Sequence, residues 1–321
     1  LAEDAGADLR PGVAVHRFDG AGLETSNGRI EADVFVDASG LNGARLLDQP
    51  RVPAVDLCVA TQQVRHLLDR DAARAFFHRQ RARQGDTLVF AGVAGGYSIV
   101  EVRFDDEQVA VLTGSIPALG HPSGSALLEQ FVAKHSWIGP PVFGGTRAIP
   151  LRRALPKVGG DRVAAIGDAA FQLYSAHGSG IAQQLVAARV LADALAEGRG
   201  TEGYNLDWQR NWGGLVASAD LLRRFTQRFS VGQMQRMLER RVLGEEVMQQ
   251  ALLQKPPHLS MRGALRSVRG LVRLPGVARH LAPLLPRLRL VQLHYRRYPA
   301  RPERLRGWTR RLELYSGVPE A

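Results

Sequence analysis

Cysteine is almost absent from this chain of 321 residues: Cys58 stands alone. That excludes an intrachain disulfide and a thiolate metal cluster, and it makes a reducing, cytoplasmic setting the expected one. Aromatic residues are sparse, at 7%. No apolar run approaches the roughly 20 residues that a membrane-spanning helix needs, and no charged leader followed by an apolar segment opens the sequence at Leu1. Acidic residues are scarce in one region only. Residues 255–321 hold 15 Lys+Arg against 3 Asp+Glu, whereas the other 254 residues hold 27 against 28. The net charge of +11 therefore belongs to the C-terminal region and not to the chain as a whole.

Glycine, by contrast, is abundant, with 34 residues, and a composition 45% hydrophobic and 23% charged reads as soluble and globular. The length allows two domains. Along the chain, "LAEDAGADLR" reads as the end of an amphipathic helix. "VAVHRFD", "GLETSN" and "RIEADVFVDASG" read as strands, with hairpin turns at Asp19-Gly20 and Asn27-Gly28. A helix is predicted near Leu67–Arg83, followed by three antiparallel strands in "TLVFAG", "YSIVEVRF" and "VAVLTGSI". "GHPSGSALLEQFVAKHSWI" turns and then continues as a helix, and residues 204–253 are helix-rich.

The most informative stretch is "RVAAIGDAAFQLYSAHGSGIAQQLVAARVLADAL", residues 162–195. An apolar strand ends at Gly167, where the backbone must turn sharply. Asp168 then stands at the carboxyl end of a strand, the place where open α/β sheets bind ligands. Its short carboxylate can accept hydrogen bonds from ligand hydroxyls, and Ala169 and Ala170 leave room for a ligand against the backbone. Gly178, Ser179 and Gly180 open a helix over Ile181–Ala196 whose free N–H groups and positive end favour negative charge. A glycine-rich turn that only packs tightly is the plainer alternative.

These residues resemble the second flavin-binding motif of FAD-dependent oxidoreductases, in the group that includes aromatic hydroxylases, geranylgeranyl reductases and flavin halogenases. The resemblance implies that Asp168 meets the ribityl chain of FAD, with Gly167 and Ala169 beside it as further cofactor-binding residues. It places Gly178, Ser179, Gly180 and Ile181 at the pyrimidine edge of the flavin ring. The meander ending in "DVFVDASG" is similar to the family's closing strand, which makes Asp37 and Gly40 further cofactor candidates. A carboxylate capping its own turn is the alternative for Asp37. The implied fold is α/β: a Rossmann-like FAD domain from 1–50 and 146–200, an inserted antiparallel substrate sheet at 51–145, and a helical, basic region at 201–321. The family's first strand and its GxGxxG phosphate loop are not found in these residues and are expected upstream of Leu1.

Several departures bear on function. Ser39 precedes Gly40 where aromatic hydroxylases carry Asp-Gly, and Ser175 replaces a proline usual before the glycine pair. "GGYSIVEVRF" keeps the Gly-Gly-Tyr start of the reductases but has Ile99 and Val100 for their later aromatics; Tyr97 is a candidate to line the substrate cavity or a core tyrosine. His177 is a candidate acid or base, or a structural histidine. The halogenase Trp-x-Trp-x-Ile-Pro pattern is absent, so halogenation has no support. The implied activity is FAD-dependent oxidoreduction of an apolar organic substrate, with hydroxylation favoured over double-bond reduction and NAD(P)H as a possible reductant. A non-catalytic scaffold that binds a membrane or a partner competes with it. In "GALRSVRGLVRLPGVARHL", Arg266, Arg269 and Arg273 share one face and Leu265, Val268 and Val272 lean to the other. Contact of residues 262–311 with an anionic membrane is thus an expectation, beside a merely solvated face. Nucleic acid is not expected, because no aromatic residue interleaves with the basic ones in "GALRSVRGLVRLPGVARHL" and no recognised nucleic-acid motif occurs.

Overall fold

The computed structural model describes residues 1–242, 245–254 and 261–318. The C-terminal region expected at 201–321 includes 243–244, 255–260 and 319–321, which lie outside the described residues. The chain opens with an antiparallel meander, β1 (Val15–Phe18), β2 (Gly22–Thr25) and β3 (Gly28–Glu31). Both hairpins fall at the Asp-Gly and Asn-Gly pairs. Asp19 Oδ1 accepts from the amides of Ala21 and Gly22, each at 2.9 Å. The helix expected over residues 1–10 does not form. The segment makes turns, and all ten residues are exposed, so no packed face repays helix nucleation.

The single strand expected from Arg29 to Gly40 is also divided. β4 (Phe35–Asp37) leaves the meander and joins another sheet. Arg162 causes the break: its guanidinium donates to the carbonyls of Ala32 and Asp33, and its own carbonyl accepts from Phe35 N at 2.8 Å.

A five-stranded antiparallel sheet follows, made of β5 (Leu57–Leu67), β6 (Leu88–Ala91), β7 (Ser98–Phe104), β8 (Gln108–Ser115) and β9 (Ile138–Pro150), in the order β6-β7-β8-β5-β9. The two longest strands, β5 and β9, have no clear alternation in sequence. β9 is an exposed edge broken by Pro140, Pro141, Gly144 and Gly145, devices that blunt an edge against further pairing. Helices α1 (Arg70–Arg79) and α2 (Gly124–Ala133) cover one face, burying Phe77, Phe104, Val109, Val111 and Trp137. The first is shorter than its predicted span because Leu67 still belongs to β5 and Asp69 caps the helix through Ala72 N at 2.9 Å.

The chain then returns to β4. β10 (Gly159–Gly160) pairs antiparallel with β11 (Val163–Ala165), and β11 runs parallel to β4. Small side chains, Ala164, Ala165, Ala169 and Ala170, let α3 (Ile181–Ala196) and α4 (Gly200–Trp208) pack closely on this layer through Ala187, Leu191, Tyr204 and Trp208. A π-helical turn, Gln209–Gly213, joins α4 to α5 (Gly214–Thr226). The wide turn frees Gln209, whose Nε2 donates to Leu155 O at 2.8 Å. Then come α6 (Val231–Glu239), α7 (Glu245–Leu252), α8 (Met261–Val272), α9 (Pro275–Leu281), α10 (Leu284–Arg296) and α11 (Leu305–Ser316). Leu284, Val291, Tyr295, Trp308 and Leu312 bind the last helices to α5. The architecture is thus mixed α/β. Among the described residues, no helix is long and apolar enough to cross a membrane.

Candidate functional site

β4 and β11 lie side by side with Ala165 opposite Asp37, and both deliver their carboxyl ends to the same edge. From β11 the chain enters a tight turn over Gly167–Ala170. Gly167 adopts φ +67°, which glycine holds without the Cβ penalty of other residues. Its carbonyl and amide are both tied to Gln172, the amide to Oε1 at 3.0 Å. Gln172 Nε2 donates to Tyr204 Oη at 2.8 Å, and that hydroxyl donates to Ala165 O at 2.9 Å. A buried network therefore fixes the turn from below.

Asp168 projects from this turn half-buried. Burial raises its pKa, opposed only by Gln184, whose Nε2 donates at 3.4 Å. A carboxylate with one long hydrogen bond keeps most of its acceptor capacity. Opposite it lies the start of α3. Tyr174 and Ser179 form a bridge, with Tyr174 N donating to Ser179 O at 2.8 Å, so that the chain doubles back and aims residues 178–181 at Asp168. Gly180 is the N-cap, and no side chain among the described residues caps the helix. Space at this point is limited. A Cβ on Gly180 would come within 2.9 Å of Gln184 Nε2, and one on Gly178 within 2.6 Å of the Tyr97 hydroxyl. Gly178 has φ +74° as well.

The expected residues are thus only partly gathered. Gly167, Asp168, Ala169, Gly178, Ser179, Gly180 and Ile181 converge on one edge. Ala169 is buried beneath the turn, and Ile181 is 76% exposed. Tyr97 joins them, buried just ahead of β7 with Cys58, Ile116, Leu151 and Leu173, and its hydroxyl has no hydrogen-bond partner among the described residues. His177 is half-buried, with its ring 4.8 Å from that of Tyr174. Asp37 is differently employed. It is 2% exposed, and its carboxylate accepts from Ser39 N at 3.0 Å, Ser39 Oγ at 2.5 Å, Leu46 N at 3.1 Å and Gln49 Nε2 at 2.9 Å. Burial alone raises its pKa, yet these four donors outweigh it and hold the carboxyl below its ordinary range. With its acceptor sites taken, Asp37 anchors the loop from Ala38 to Gln49. Gly40, at φ +82°, turns that loop.

Two participants carried no signal in the sequence. Gln254, beyond α7, donates to Ser179 Oγ at 3.1 Å and accepts from Gln183 Nε2 at 2.9 Å, covering the start of α3. Arg152 is 5% exposed, with its guanidinium 5.1 Å from the Phe171 ring centre and its Nε and Nη1 without partners among the described residues. Burial, and then the neighbouring Arg153, lowers its pKa.

Taken as a donor set, the edge suits the flavin implied by the motifs. The Asp168 carboxylate is open to hydroxyl donors, and the uncapped amides of α3 present a partial positive charge to an electron-rich ring edge. No glycine-rich phosphate loop occurs in these residues.

No family model matches the chain. The digeranylgeranylglycerophospholipid reductase of Sulfolobus acidocaldarius is 25% identical over 221 residues, which are 64% of this chain and 48% of that protein. The chain thus spans about half the length of the curated relative it matches. In fold it is similar to a geranylgeranyl bacteriochlorophyll reductase-like protein from Thermoplasma acidophilum, with a TM-score of 0.64 and 17% identity, covering 88% of this chain and 72% of that one. BrvH, a flavin-dependent halogenase from Brevundimonas sp. BAL3, aligns at a TM-score of 0.49 and 17% identity, over 95% of this chain and 66% of that one.

Proposed function

We propose that the chain forms part of an FAD-dependent oxidoreductase acting on an apolar organic substrate, with the layer of β4, β10, β11 and α3 as its Rossmann-like, flavin-binding element. One observation carries this reading. Asp168 and the uncapped first turn of α3 come from segments a dozen residues apart and are brought to face one another at the carboxyl end of a parallel strand pair. When bound, the flavin supplies the two-electron chemistry. The protein's part is to hold it. Asp168 accepts hydrogen bonds from the sugar-alcohol arm, and the amides following Gly180 donate to the electron-rich edge of the ring. The hydroxyl of the buried Tyr97, without a hydrogen-bond partner among the described residues, stands against the glycine turn as a donor toward whatever enters there. The apolar walls around it, Ile116, Leu151 and Leu173, exclude water from the same space.

Reduction of carbon–carbon double bonds in a polyprenyl chain is supported by the curated relative, whose name specifies a digeranylgeranyl lipid reductase. Hydroxylation, favoured from the sequence, becomes the second reading; the resemblance covers aromatic hydroxylases too. The test begins with the visible spectrum of the intact purified protein, which should show flavin bands. Asp168→Ala should strip them by at least tenfold in occupancy, and unchanged occupancy would overturn the assignment. Incubation with a polyprenyl substrate and a reductant then separates the reactions. A product gaining two hydrogens per double bond without oxygen marks the reductase; one gaining an oxygen atom, only in air, marks the hydroxylase.

A further inference from the structure

A cavity of about 450 Å³ opens between the end of α5, α9, α10 and the last residues of α11. Its walls carry Arg224, Arg228, Arg279, His280 and Arg287, and no Asp or Glu among the described residues lines it. Arg224 is engaged within the protein, by Asp56 Oδ2 at 2.5 Å and Asp220 Oδ1 at 3.0 Å. Arg228, Arg279 and Arg287 have no carboxylate partner among the described residues.

What lies behind the wall makes this more than a basic surface. Arg223 and Arg224 pair with Asp56 and Asp220, Arg152 interacts with the same two carboxylates without pairing, and Arg153 stands beside Arg152; among the described residues no other carboxylate pairs with these four. Four neighbouring guanidiniums therefore share two carboxylates. Arg223 is fully buried and uses its Nη2 on Asp56, Asp220 and the Leu151 carbonyl. Arg153, 5% exposed, donates Nη1 to the carbonyl of Val318, a wall residue, at 3.1 Å, and its Nη2 has no partner among the described residues. An excess of positive charge held out of water is costly unless an anion compensates it. The side chains that could receive such an anion come from three separate elements and converge on one opening.

We propose that this cavity binds a phosphate ester. A phosphomonoester carries close to two negative charges at neutral pH, the size of the excess behind the wall. Its oxygens accept several forked N–H donors at once, which is where arginine surpasses lysine. The volume falls within the range of small-ligand sites, with room for a substituent beyond the phosphate. The cluster behind this cavity includes Arg152 and touches Leu151, both also placed at the candidate flavin edge, but the cavity's own wall residues are not among those assigned to that edge, so variants of the wall test this site separately.

The experiment is calorimetric titration of the intact protein with inorganic phosphate and with glycerol 3-phosphate, repeated on two charge-matched variants. Arg279→Glu/Arg287→Glu reverses two of the cavity's charges. Arg301→Glu/Arg304→Glu alters another basic face, shared with Arg297 and Arg311. The cavity pair should weaken phosphate binding at least tenfold and the other pair less than twofold. Flotation with phosphatidylcholine vesicles, with and without phosphatidic acid, identifies the source. Binding to phosphatidic acid that is lost only in the cavity pair supports a lipid headgroup, and binding of glycerol 3-phosphate alone supports a soluble ester. No saturable phosphate binding, or equal weakening in both pairs, overturns the proposal. If the glutamate pair does not fold, Arg279→Gln/Arg287→Gln carries the same expectation.

Discussion

Alanine in place of Gly178 should damage the turn in two separable ways. Gly178 sits at φ +74°, where a side chain costs about 1–2 kcal/mol. The added Cβ would also come within 2.6 Å of the Tyr97 hydroxyl, which is held in a packed core, and such overpacking costs about 1–3 kcal/mol. Gly178→Ala should therefore lose about 2–5 kcal/mol in total. Tyr97→Phe alone should change little, about 1 kcal/mol or less, because the hydroxyl gives up no protein partner. In the double variant the nearest ring atom would stand 3.9 Å from the new Cβ, an ordinary contact. The overpacking share should then vanish while the backbone share persists. Urea unfolding of the four proteins, followed by circular dichroism, measures the coupling, expected at about 1–3 kcal/mol in the rescuing direction. Simple additivity would refute the contact between the sheet tyrosine and the glycine turn. A fully restored double variant would refute the backbone share.

Asp168→Asn should stabilise the flavin-free protein at neutral pH. Burial raises the carboxyl's pKa in the folded state, so the folded form holds its proton longer than the unfolded one, and stability falls as pH rises from the ordinary value of 3.8 through the raised one. The gain over wild type should disappear below that ordinary value, and thermal melts across pH show whether it does. Arg223→Met should cost about 3–5 kcal/mol by leaving Asp56 and Asp220 short of a buried partner; a loss under about 1 kcal/mol would mean that the cluster is solvated. His294, stacked on Trp308 at 4.7 Å, has its pKa lowered from 6.5 by burial. Folded His294 therefore resists the proton that the unfolded chain accepts, and the packing of α10 on α11 should weaken as pH falls below 6.5. His294→Gln should flatten that dependence in melts followed by tryptophan fluorescence.

How far the sequence could be read depended on the distance over which each feature is specified. The Gly167–Ala170 turn, the glycine pair and the helix from Ile181 to Ala196 are local, built from backbone preferences within a few residues, and their bounds were legible. So were the hairpins at Asp19-Gly20 and Asn27-Gly28, where the turn type demands those residues. β5 and β9 were not legible. They are strands because each completes the other's hydrogen-bond ladder from Leu57 opposite Pro150 to Leu67 opposite Ile138, a pairing no window of neighbours reveals. The break before Phe35 likewise depends on Arg162, far along the chain.

The chemistry of the candidate edge divides in the same way. Sequence alone determined that a carboxylate would stand at a strand end and that a helix would begin with bare amides, because residue type and backbone geometry suffice for both. Only the tertiary structure decided how each carboxylate is used. Asp37 and Asp168 end neighbouring strands in similar contexts, yet one is consumed by four internal donors and the other left nearly free. Solvation and partners set that difference, and both come from whatever the rest of the chain packs around the site.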